Sequence, residues 1–382
     1  MIEKAFFALI RFEINGDELC EEIKNLILPE MMPALFKLSK RYDLANLIAD
    51  GLDKNSLLPD GTEAKKRFLQ ERNMAIYRYE QMQYEFEQIC TTLENAKIEF
   101  IPLKGAVIRQ YFPEPWMRTS CDIDILVKET DLSNAINALE VALNYRYDYK
   151  SNHDVSLFAE SGVHLELHYK LNDSNQIWDE VLAKAWKYSI AVTDFRYALT
   201  KEMFYFYHIA HMAGHFKFGG CGIRPFLDLF LLRKYNTYNQ EILENLLTDG
   251  GLTAFSQAIC GIVDYWFADG EATEIVLNFK EFVLNGGMYG DLNNRVAVAK
   301  IKKGGRWKVL FSRIWLPYLK LKFQYPILQK HKILVPFYQV KRWFNLLNKG
   351  KRKQAVQELQ STVHQDEAKS ARIERLLNDL GL

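Results

Sequence analysis

The chain has 382 residues, of which 48% are apolar and 13% aromatic, and a formal net charge of +1, as expected for a globular protein of two or three domains. Five scattered cysteines without CxxC spacing argue against a disulfide framework and predict reduced thiols in a cytoplasmic protein. The N-terminus lacks a secretion-signal pattern, and no window reaches the ~18 uninterrupted apolar residues of a membrane span, so we expect neither export nor a transmembrane segment.

Residues 1–96 are predicted to form an N-terminal helical region that leads into the rest of the chain and is not itself catalytic. Apolar residues recur at three- and four-residue steps over 5–27, 33–49 and 64–96. Two prolines mark the first break between these helices, and a Leu-Pro-Asp-Gly turn marks the second.

Residues 97–172 are predicted to form an α+β core, in which a small mixed sheet has helices packed on one side. A capping residue, Asp131 or Ser133, followed by an apolar stripe predicts the second helix of this core. A Ser161-Gly162 turn predicts that the last two strands form a β-hairpin. The order is β-α-β-α-β-β, with strands at 98–103, 122–127, 155–159 and 163–168 and helices at 106–111 and 131–143.

The rest of the chain is predicted to be helical. A domain at 173–290 completes the cleft over the core, with helices at 203–212 and 225–235 separated by a glycine-rich break and a further helical stretch at 253–278. A basic, aromatic helical region follows at 291–382. It ends in a polar amphipathic helix at 355–380.

The segment 292–357 contains 17 Lys and Arg residues and no Asp or Glu, which leaves 32 basic against 48 acidic residues in the rest of the chain. Aromatic residues are interleaved with these cations, a mixture typical of contact with RNA, an anionic lipid surface or a polyanionic acceptor. Alternatively, the aromatic residues are core and the lysines are merely solvated. We favour partial burial with a basic outer surface, and peripheral contact with a membrane surface is the second option.

An alternating acidic and apolar pattern begins at Asp122-Ile-Asp124. In an extended strand both carboxylates project from one face, while Ile123 and Ile125 anchor the other face. Two carboxylates at this spacing suit Mg²⁺, or the similar Mn²⁺, because hard cations prefer oxygen ligands and are usually held by one or two carboxylates plus substrate phosphates. The alternative is a solvated face of an edge strand.

A second alternating run, 163–168, places His164, Glu166 and His168 on one face of a strand. If this strand pairs beside the Asp122 strand, Glu166 reaches the same side of the sheet as Asp122 and Asp124. We therefore expect Glu166 to be a third metal ligand or a general base. The two histidines could assist proton transfer or orient a ligand, although ordinary hydrogen-bonded strand histidines are more frequent.

These motifs resemble those of the polymerase-β-like nucleotidyltransferase superfamily, in which a strand and turn with small residues lead to an Asp-x-Asp strand and a later acidic strand. They are most similar to a family of uncharacterised bacterial nucleotidyltransferases. The residues that carry the resemblance are Leu103-Lys104-Gly105, Arg118, Asp122, Asp124 and Glu166, and more weakly His208, His211, Arg224 and Asp228.

The resemblance implies that Lys104, Gly105 and Arg118 bind the nucleotide. The superfamily usually has Gly-Gly or Gly-Ser at the turn, whereas this chain has Lys104-Gly105. One glycine still lets the backbone approach a phosphate, and the lysine adds positive charge. Arg118 could pair with a phosphate or hold Asp122 through a charge-assisted hydrogen bond.

Further polar residues are candidates for the acceptor side of the cleft. His208, His211 and His215 would share a helical face if the helix persists past Gly214, a spacing that can also bind zinc, although no cysteine or acid completes the set. Arg224 and Asp228 are also spaced for an ordinary helical ion pair. We favour a cleft lined by His168, His208, His211, Arg224 and Asp228.

The function that the resemblance implies is metal-dependent nucleotidyl transfer. Asp122 and Asp124 would hold two Mg²⁺ ions, with Glu166 as ligand or base, so that a nucleoside triphosphate, ATP by default, passes its nucleoside monophosphate to an unidentified hydroxyl- or phosphate-bearing acceptor as pyrophosphate leaves. One alternative is a catalytically weak nucleotide-binding or membrane-surface scaffold. Another is phosphoryl transfer on the same fold, which would release a nucleoside diphosphate.

Overall fold

The computed structural model of the protein describes residues 1–171, 176–286, 315–316, 318, 321, 325–329, 331–346 and 367–382. Helices account for most of the regular structure in these residues. They are α1 (Ile2–Asn15), α2 (Glu21–Leu26), α3 (Met32–Arg41), α4 (Ala45–Lys54), α5 (Glu63–Asn95), α6 (Lys104–Ile108), α7 (Leu132–Leu143), α8 (Ile177–Leu182), α9 (Lys201–Phe216), α10 (Arg224–Tyr235), α11 (Gln240–Asp249), α12 (Thr253–Phe267), α13 (Glu274–Gly286), α14 (Val335–Leu346) and α15 (Glu367–Asp379).

The chain also forms a five-stranded mixed sheet. Its strands are β1 (Phe100–Pro102), β2 (Asp122–Val127), β3 (Arg146–Lys150), β4 (Asp154–Phe158) and β5 (His164–His168), and β6 (Ser189–Ala191) and β7 (Tyr197–Leu199) form a separate pair. The strand order is β1-β2-β5-β4-β3. The central pair β2 and β5 is parallel, and the other pairs are antiparallel.

One face of this sheet packs against α5 and α7. Alternate residues of β2 (Ile123, Ile125 and Val127) join Leu165 and Leu167 of β5 in a buried cluster with apolar residues of the two helices. Because side chains alternate between the faces of a strand, this burial turns the acidic residues of β2 and β5 to the opposite face. The prediction of helices packed on one side of a small mixed sheet is confirmed.

The predicted β-hairpin is confirmed, since β4 and β5 pair antiparallel across a turn in which Gly162 has a φ of +84°. The structure adds β3, an edge strand that the sequence did not predict. All five residues of β3 are exposed, so its sequence shows no alternation of buried and exposed positions. The predicted order therefore becomes β-α-β-α-β-β-β.

Several of the predicted helices have different bounds, and the stretch 253–278 divides into α12 and α13. The stretch 5–27 divides into α1 and α2 because Gly16 adopts a left-handed conformation that ends α1. The stretch 33–49 divides at Asp43, which also has a positive φ. Gly214 does not end α9, which continues to Phe216.

The chain divides into two compact units. The first comprises Met1–Ala213 with Gly222–Leu277 and contains both sheets. The second comprises Gly214–Cys221 with Asn278–Leu382. In its described part, Arg372 donates a hydrogen bond to Glu281 over 2.7 Å, and a Cβ at Gly220, where φ is +105°, would lie only 2.9 Å from the ring of Phe282. The four-region division made from the sequence stays a prediction.

Within the described residues no single helix is long and apolar enough to cross a membrane; only α11 and α12 together, bent by 119°, pass a test of length and composition. None of the five cysteines forms a disulfide. Most of the basic segment 292–357, and the first part of the predicted terminal helix at 355–380, lie outside the described residues. The prediction that 292–357 contacts an anionic surface therefore stays a prediction.

Candidate functional site

The central strands bring the three predicted carboxylates together. In the parallel pairing of β2 with β5, Asp122 lies opposite His164 and Asp124 lies opposite Glu166. Side-by-side pairing of these strands was the condition for Glu166 to reach the side of the sheet that carries Asp122 and Asp124, and the strands do pair in this way. Asp124 is almost fully buried, with 2% of its side chain exposed, whereas Glu166 is 25% exposed. The site is therefore open on the Glu166 side.

Lys104 occupies the centre of this acidic group. Its Nζ donates a hydrogen bond to Asp124 Oδ1 over 2.7 Å and lies 3.9 Å from Glu166 Oε2. It is the first residue of α6 and has a φ of +40°, an unfavourable conformation for a residue with a side chain. A hydrogen bond from the N–H of Leu103 to the carbonyl of Asp124 fixes the chain just before it.

His168 approaches the same carboxylate from β5. Its Nε2 lies 3.0 Å from Asp124 Oδ1 and 3.5 Å from Glu166 Oε2. Since both neighbours are carboxylates, Nε2 carries the proton and donates it. Burial alone would lower the pKa of His168, but its hydrogen bonds to Asp124 and Glu166 outweigh this effect and raise the pKa.

The charges around Asp122 and Asp124 separate their proton affinities. Burial and the charge of Asp124 raise the pKa of Asp122. Burial also acts to raise the pKa of Asp124, but the charge of Lys104 and the hydrogen bond from His168 outweigh it and hold that pKa far below the usual range. Conversely, the Asp124 charge overcomes the burial of Lys104 and raises the lysine pKa. Asp124 and Lys104 are therefore both ionised at neutral pH.

Two overlapping sets of side chains could hold a cation here. Asp122, His164 and Glu166 each offer a ligand atom within 4.8 Å of the others, and so do Asp124, Glu166 and His168. Glu166 belongs to both sets. The ligands are mainly carboxylate oxygens, which suit Mg²⁺ or Mn²⁺.

Gly105 allows the turn after β1 to pack closely on the segment that leads into β2. A Cβ at this position would lie 3.0 Å from Arg118 Nη1 and 3.3 Å from Ser120. Arg109 joins the two segments, because its Nε donates to the carbonyl of Gly105 over 2.9 Å and its Nη2 donates to Ser120 Oγ over 3.1 Å. In this structure Gly105 thus serves close packing, and its predicted contact with a phosphate stays a prediction.

Arg118 is paired with Asp228, not with Asp122 as one reading of the sequence suggested. Its Nη2 and Nε donate to the two carboxylate oxygens of Asp228 over 2.8 and 3.2 Å. Burial acts against the charged guanidinium, but the charge of Asp228 outweighs it, and the net effect raises the pKa of Arg118. The predicted phosphate contact of Arg118 is not tested by this pairing.

Arg224 is held by residues other than Asp228. The helical Arg224–Asp228 ion pair considered from the sequence is not among the ion pairs of the described residues. Its Nη1 donates to Asp43 Oδ2 over 2.8 Å and to the carbonyl of Thr119 over 2.9 Å. The hydroxyl of Thr119 also donates to Asp43 Oδ2, over 2.6 Å. These contacts fix the segment that precedes Asp122.

His208 and His211 lie on α9. His208 is buried, and its Nε2 donates to the carbonyl of Pro225 over 2.8 Å, so this histidine holds the start of α10. Burial lowers the pKa of His208 and keeps it neutral. The ring of His211 lies 6.2 Å from that of Tyr207. In the described part of the chain, the residue groups that could hold a metal do not include the His208, His211 and His215 set.

Two contributors to the site were not found from the sequence. Asp43 comes from the N-terminal helical region, and its link to Thr119 and Arg224 is visible only in the folded chain. Tyr207 has a buried hydroxyl that finds no hydrogen-bond partner in the described part of the chain, and the charges of Lys104 and Asp124 act on it. A tyrosine within the apolar α9 pattern carries no signal that distinguishes it from a core residue.

The structure brings together carboxylates of two adjacent parallel strands and the ammonium group of Lys104 on the turn in front of them. A model of the family described as uncharacterised nucleotidyltransferase matches residues 30–268, and the chain belongs to this family. The match extends from α3 to the end of α12 and so includes the whole site. Comparisons with curated proteins and with solved structures found no match.

Proposed function

We propose that the protein transfers a nucleoside monophosphate from a nucleoside triphosphate to a hydroxyl or phosphate group of an acceptor, with release of pyrophosphate. Family membership supports nucleotidyl transfer in general. The observation that carries the proposal for this chain is the register of β2 with β5, which places Asp122, Asp124 and Glu166 on one face. ATP is the proposed donor because it is abundant, and the cytoplasm is the proposed compartment because the five cysteines are unpaired.

The residues fit a divalent cation. Asp122, Asp124 and Glu166 would hold Mg²⁺ or Mn²⁺, since they supply hard oxygen ligands and Glu166 shares one possible cation set with Asp122 and another with Asp124. When bound, the ion would neutralise phosphate charge and polarise the phosphoryl oxygens. The ammonium group of Lys104 faces the carboxylates in this structure. A bound triphosphate would offer this ammonium group an alternative anionic partner.

The side chains of the site have distinct roles in this proposal. Lys104 pairs with phosphate oxygens and so orients the donor. His168 holds Asp124 in place through its Nε2–H. Glu166, which is more exposed than Asp124, is the carboxylate that an acceptor can approach, and its oxygen can take the proton of an acceptor hydroxyl.

The first experiment is calorimetric titration of the purified chain with each of the four nucleoside triphosphates and Mg²⁺. We expect one nucleotide to bind, and the double variant Asp122→Asn/Asp124→Asn to lose this binding while it remains folded. The matched control is Asp148→Asn, which removes an exposed carboxylate of β3 in the same sheet. Equal binding by the double variant and the wild type would refute the site.

The products identify the reaction. Incubation of the nucleotide that binds with candidate acceptors should release pyrophosphate and leave the nucleoside monophosphate on the acceptor. Release of a nucleoside diphosphate would instead show phosphoryl transfer at the same site. Nucleotide binding without turnover for any acceptor would favour the alternative hypothesis of a catalytically weak nucleotide-binding scaffold.

A further inference from the structure

A second group of potential metal ligands lies beside the carboxylate site, on the hairpin formed by β4 and β5. His153 and Asp154 stand at the start of β4, and His168 stands at the end of β5, directly opposite Asp154 in the antiparallel pairing. Each of the three offers one ligand atom within 4.8 Å of the others. The hairpin register therefore assembles two imidazoles and a carboxylate from its two strands.

An unpartnered atom of His168 points to a ligand for this group. The side chain is buried, with 3% exposed, and its Nε2 is already engaged by Asp124 and Glu166. The other ring nitrogen, Nδ1, is buried and has no hydrogen-bond partner among the residues that the structure describes. Among these residues, the lone pair of Nδ1 in neutral His168 meets no donor, and the N–H in protonated His168 meets no acceptor. Buried polar atoms are rarely left in this state, and a bound cation would satisfy the lone pair.

The other two residues of the group contact each other beside the His168 ring. His153 Nε2 lies 3.0 Å from Asp154 Oδ2, and the rings of His153 and His168 are stacked with centroids 6.0 Å apart. The hydroxyl of Ser151 donates to the other carboxylate oxygen, Asp154 Oδ1, over 2.9 Å, which orients the carboxylate. The side chain of His153 is 38% exposed, so the group is accessible from solvent.

We propose that His153, Asp154 and His168 form a binding site for Zn²⁺, separate from the magnesium site proposed above but joined to it through His168. Two imidazoles and one carboxylate are a ligand set that zinc accepts with a fourth position left for water or a ligand, whereas Mg²⁺ prefers oxygen alone. His168 would bind this ion through Nδ1 and hold Asp124 through Nε2–H. Zinc would thereby fix the tautomer and the ring orientation that the carboxylate site requires.

The test uses the full chain, stripped of metal with a chelator, and titrates it with Co²⁺ as a visible-absorption probe and with Zn²⁺ by calorimetry. We expect one high-affinity ion per chain, and binding about 10-fold or more weaker in His153→Gln and Asp154→Asn, since loss of a ligand costs at least as much as loss of its supporting hydrogen bond. His331→Gln, which changes an exposed histidine outside the site, should bind as the wild type does.

A fourth variant, Asp122→Asn, separates the two sites, because it affects the carboxylate site without touching the hairpin ligands. The proposal requires that Asp122→Asn keep the high-affinity Co²⁺ signal. Loss of the signal in Asp122→Asn with full retention in His153→Gln would place the ion in the carboxylate site and overturn the proposal. Absence of a high-affinity ion in folded wild-type protein would also overturn it. Thermal unfolding with and without Zn²⁺ checks that every variant is folded.

Discussion

The ammonium group of Lys104 lies 2.7 Å from Asp124 Oδ1, the same carboxylate oxygen to which His168 donates its hydrogen bond. One buried oxygen thus faces two positively polarised groups, and Glu166 Oε2 lies 3.9 Å from the same ammonium. This arrangement offsets part of the negative charge of the acidic face. It also means that a divalent cation must share Asp124 with Lys104 or displace it.

Replacement of Lys104 by methionine tests this balance. Without the ammonium, the carboxylates lose their resident positive charge, so Lys104→Met should bind Mn²⁺ alone more tightly than the wild type. The same variant should bind the nucleotide complex about 10-fold more weakly or worse, because a charged hydrogen bond contributes about 1.5–3 kcal/mol. Both affinities can be measured by calorimetry.

The matched control for this substitution is Lys184→Met, which removes an exposed lysine of the same unit. It should leave both affinities unchanged. Unaltered Mn²⁺ and nucleotide affinities in Lys104→Met would show that the 2.7 Å contact is an isolated structural ion pair.

Tyr207→Phe removes a buried hydroxyl that has no hydrogen-bond partner within the described ranges of the chain. An unsatisfied buried hydroxyl costs about 1–3 kcal/mol, so the variant should unfold at the same or a higher urea concentration than the wild type. If the hydroxyl donates to the phosphates or the acceptor, nucleotide binding or turnover should fall.

Tyr205→Phe is the control on the same helix. The hydroxyl of Tyr205 lies 3.2 Å from Cys260 Sγ, so loss of this hydroxyl should lower stability and leave nucleotide binding intact. Equal nucleotide binding and turnover in Tyr207→Phe and the wild type would remove Tyr207 from the site.

The acidic strands were predictable because their signal is local. The alternation around Asp122 and Glu166 fixes which side chains share a face, and burial of the intervening apolar residues follows from it. The edge strand β3 gave no such signal, because both of its faces are exposed. A sequence pattern reports the burial of one face, and a strand without a buried face leaves no pattern.

The partners of the charged residues were less predictable. Arg118 and Asp228 are 110 positions apart, and Arg224 and Asp43 are 181 apart. Many carboxylates could accept either guanidinium, and only the packing of the helices against the sheet selects among them. The sequence therefore indicated which residues carry charge at the site, but not which residue neutralises each charge.

Asp228→Asn should be strongly destabilising. Asp228 is only 1% exposed and accepts two hydrogen bonds from Arg118, whose side chain is itself 10% exposed. Removal of one partner leaves a buried charge uncompensated, which typically costs about 3–5 kcal/mol. Urea unfolding measures the loss. Glu63→Gln, which breaks an exposed ion pair with Arg67 on α5, is the control and should change stability little. A comparable small change in Asp228→Asn would mean that solvent or another side chain compensates Arg118.

The raised pKa of His168 predicts how stability depends on pH in metal-free protein. The unfolded chain has a histidine pKa of about 6.5, and the pKa of His168 in the folded state is higher. Between these two pKa values the folded state therefore carries the proton on His168 while the unfolded state has lost it. The stabilisation from His168 is thus fully present below about pH 6.5 and is lost as pH rises through the folded pKa. The free energy of unfolding should fall over this range by at most about 1.4 kcal/mol per pH unit from this one group.

His168→Gln, which keeps an N–H donor for Asp124, should flatten the slope, whereas His331→Gln should not. Urea unfolding between pH 6 and 9 in the presence of a chelator measures the slopes, and an unchanged slope in His168→Gln would show that folding does not raise the pKa of His168.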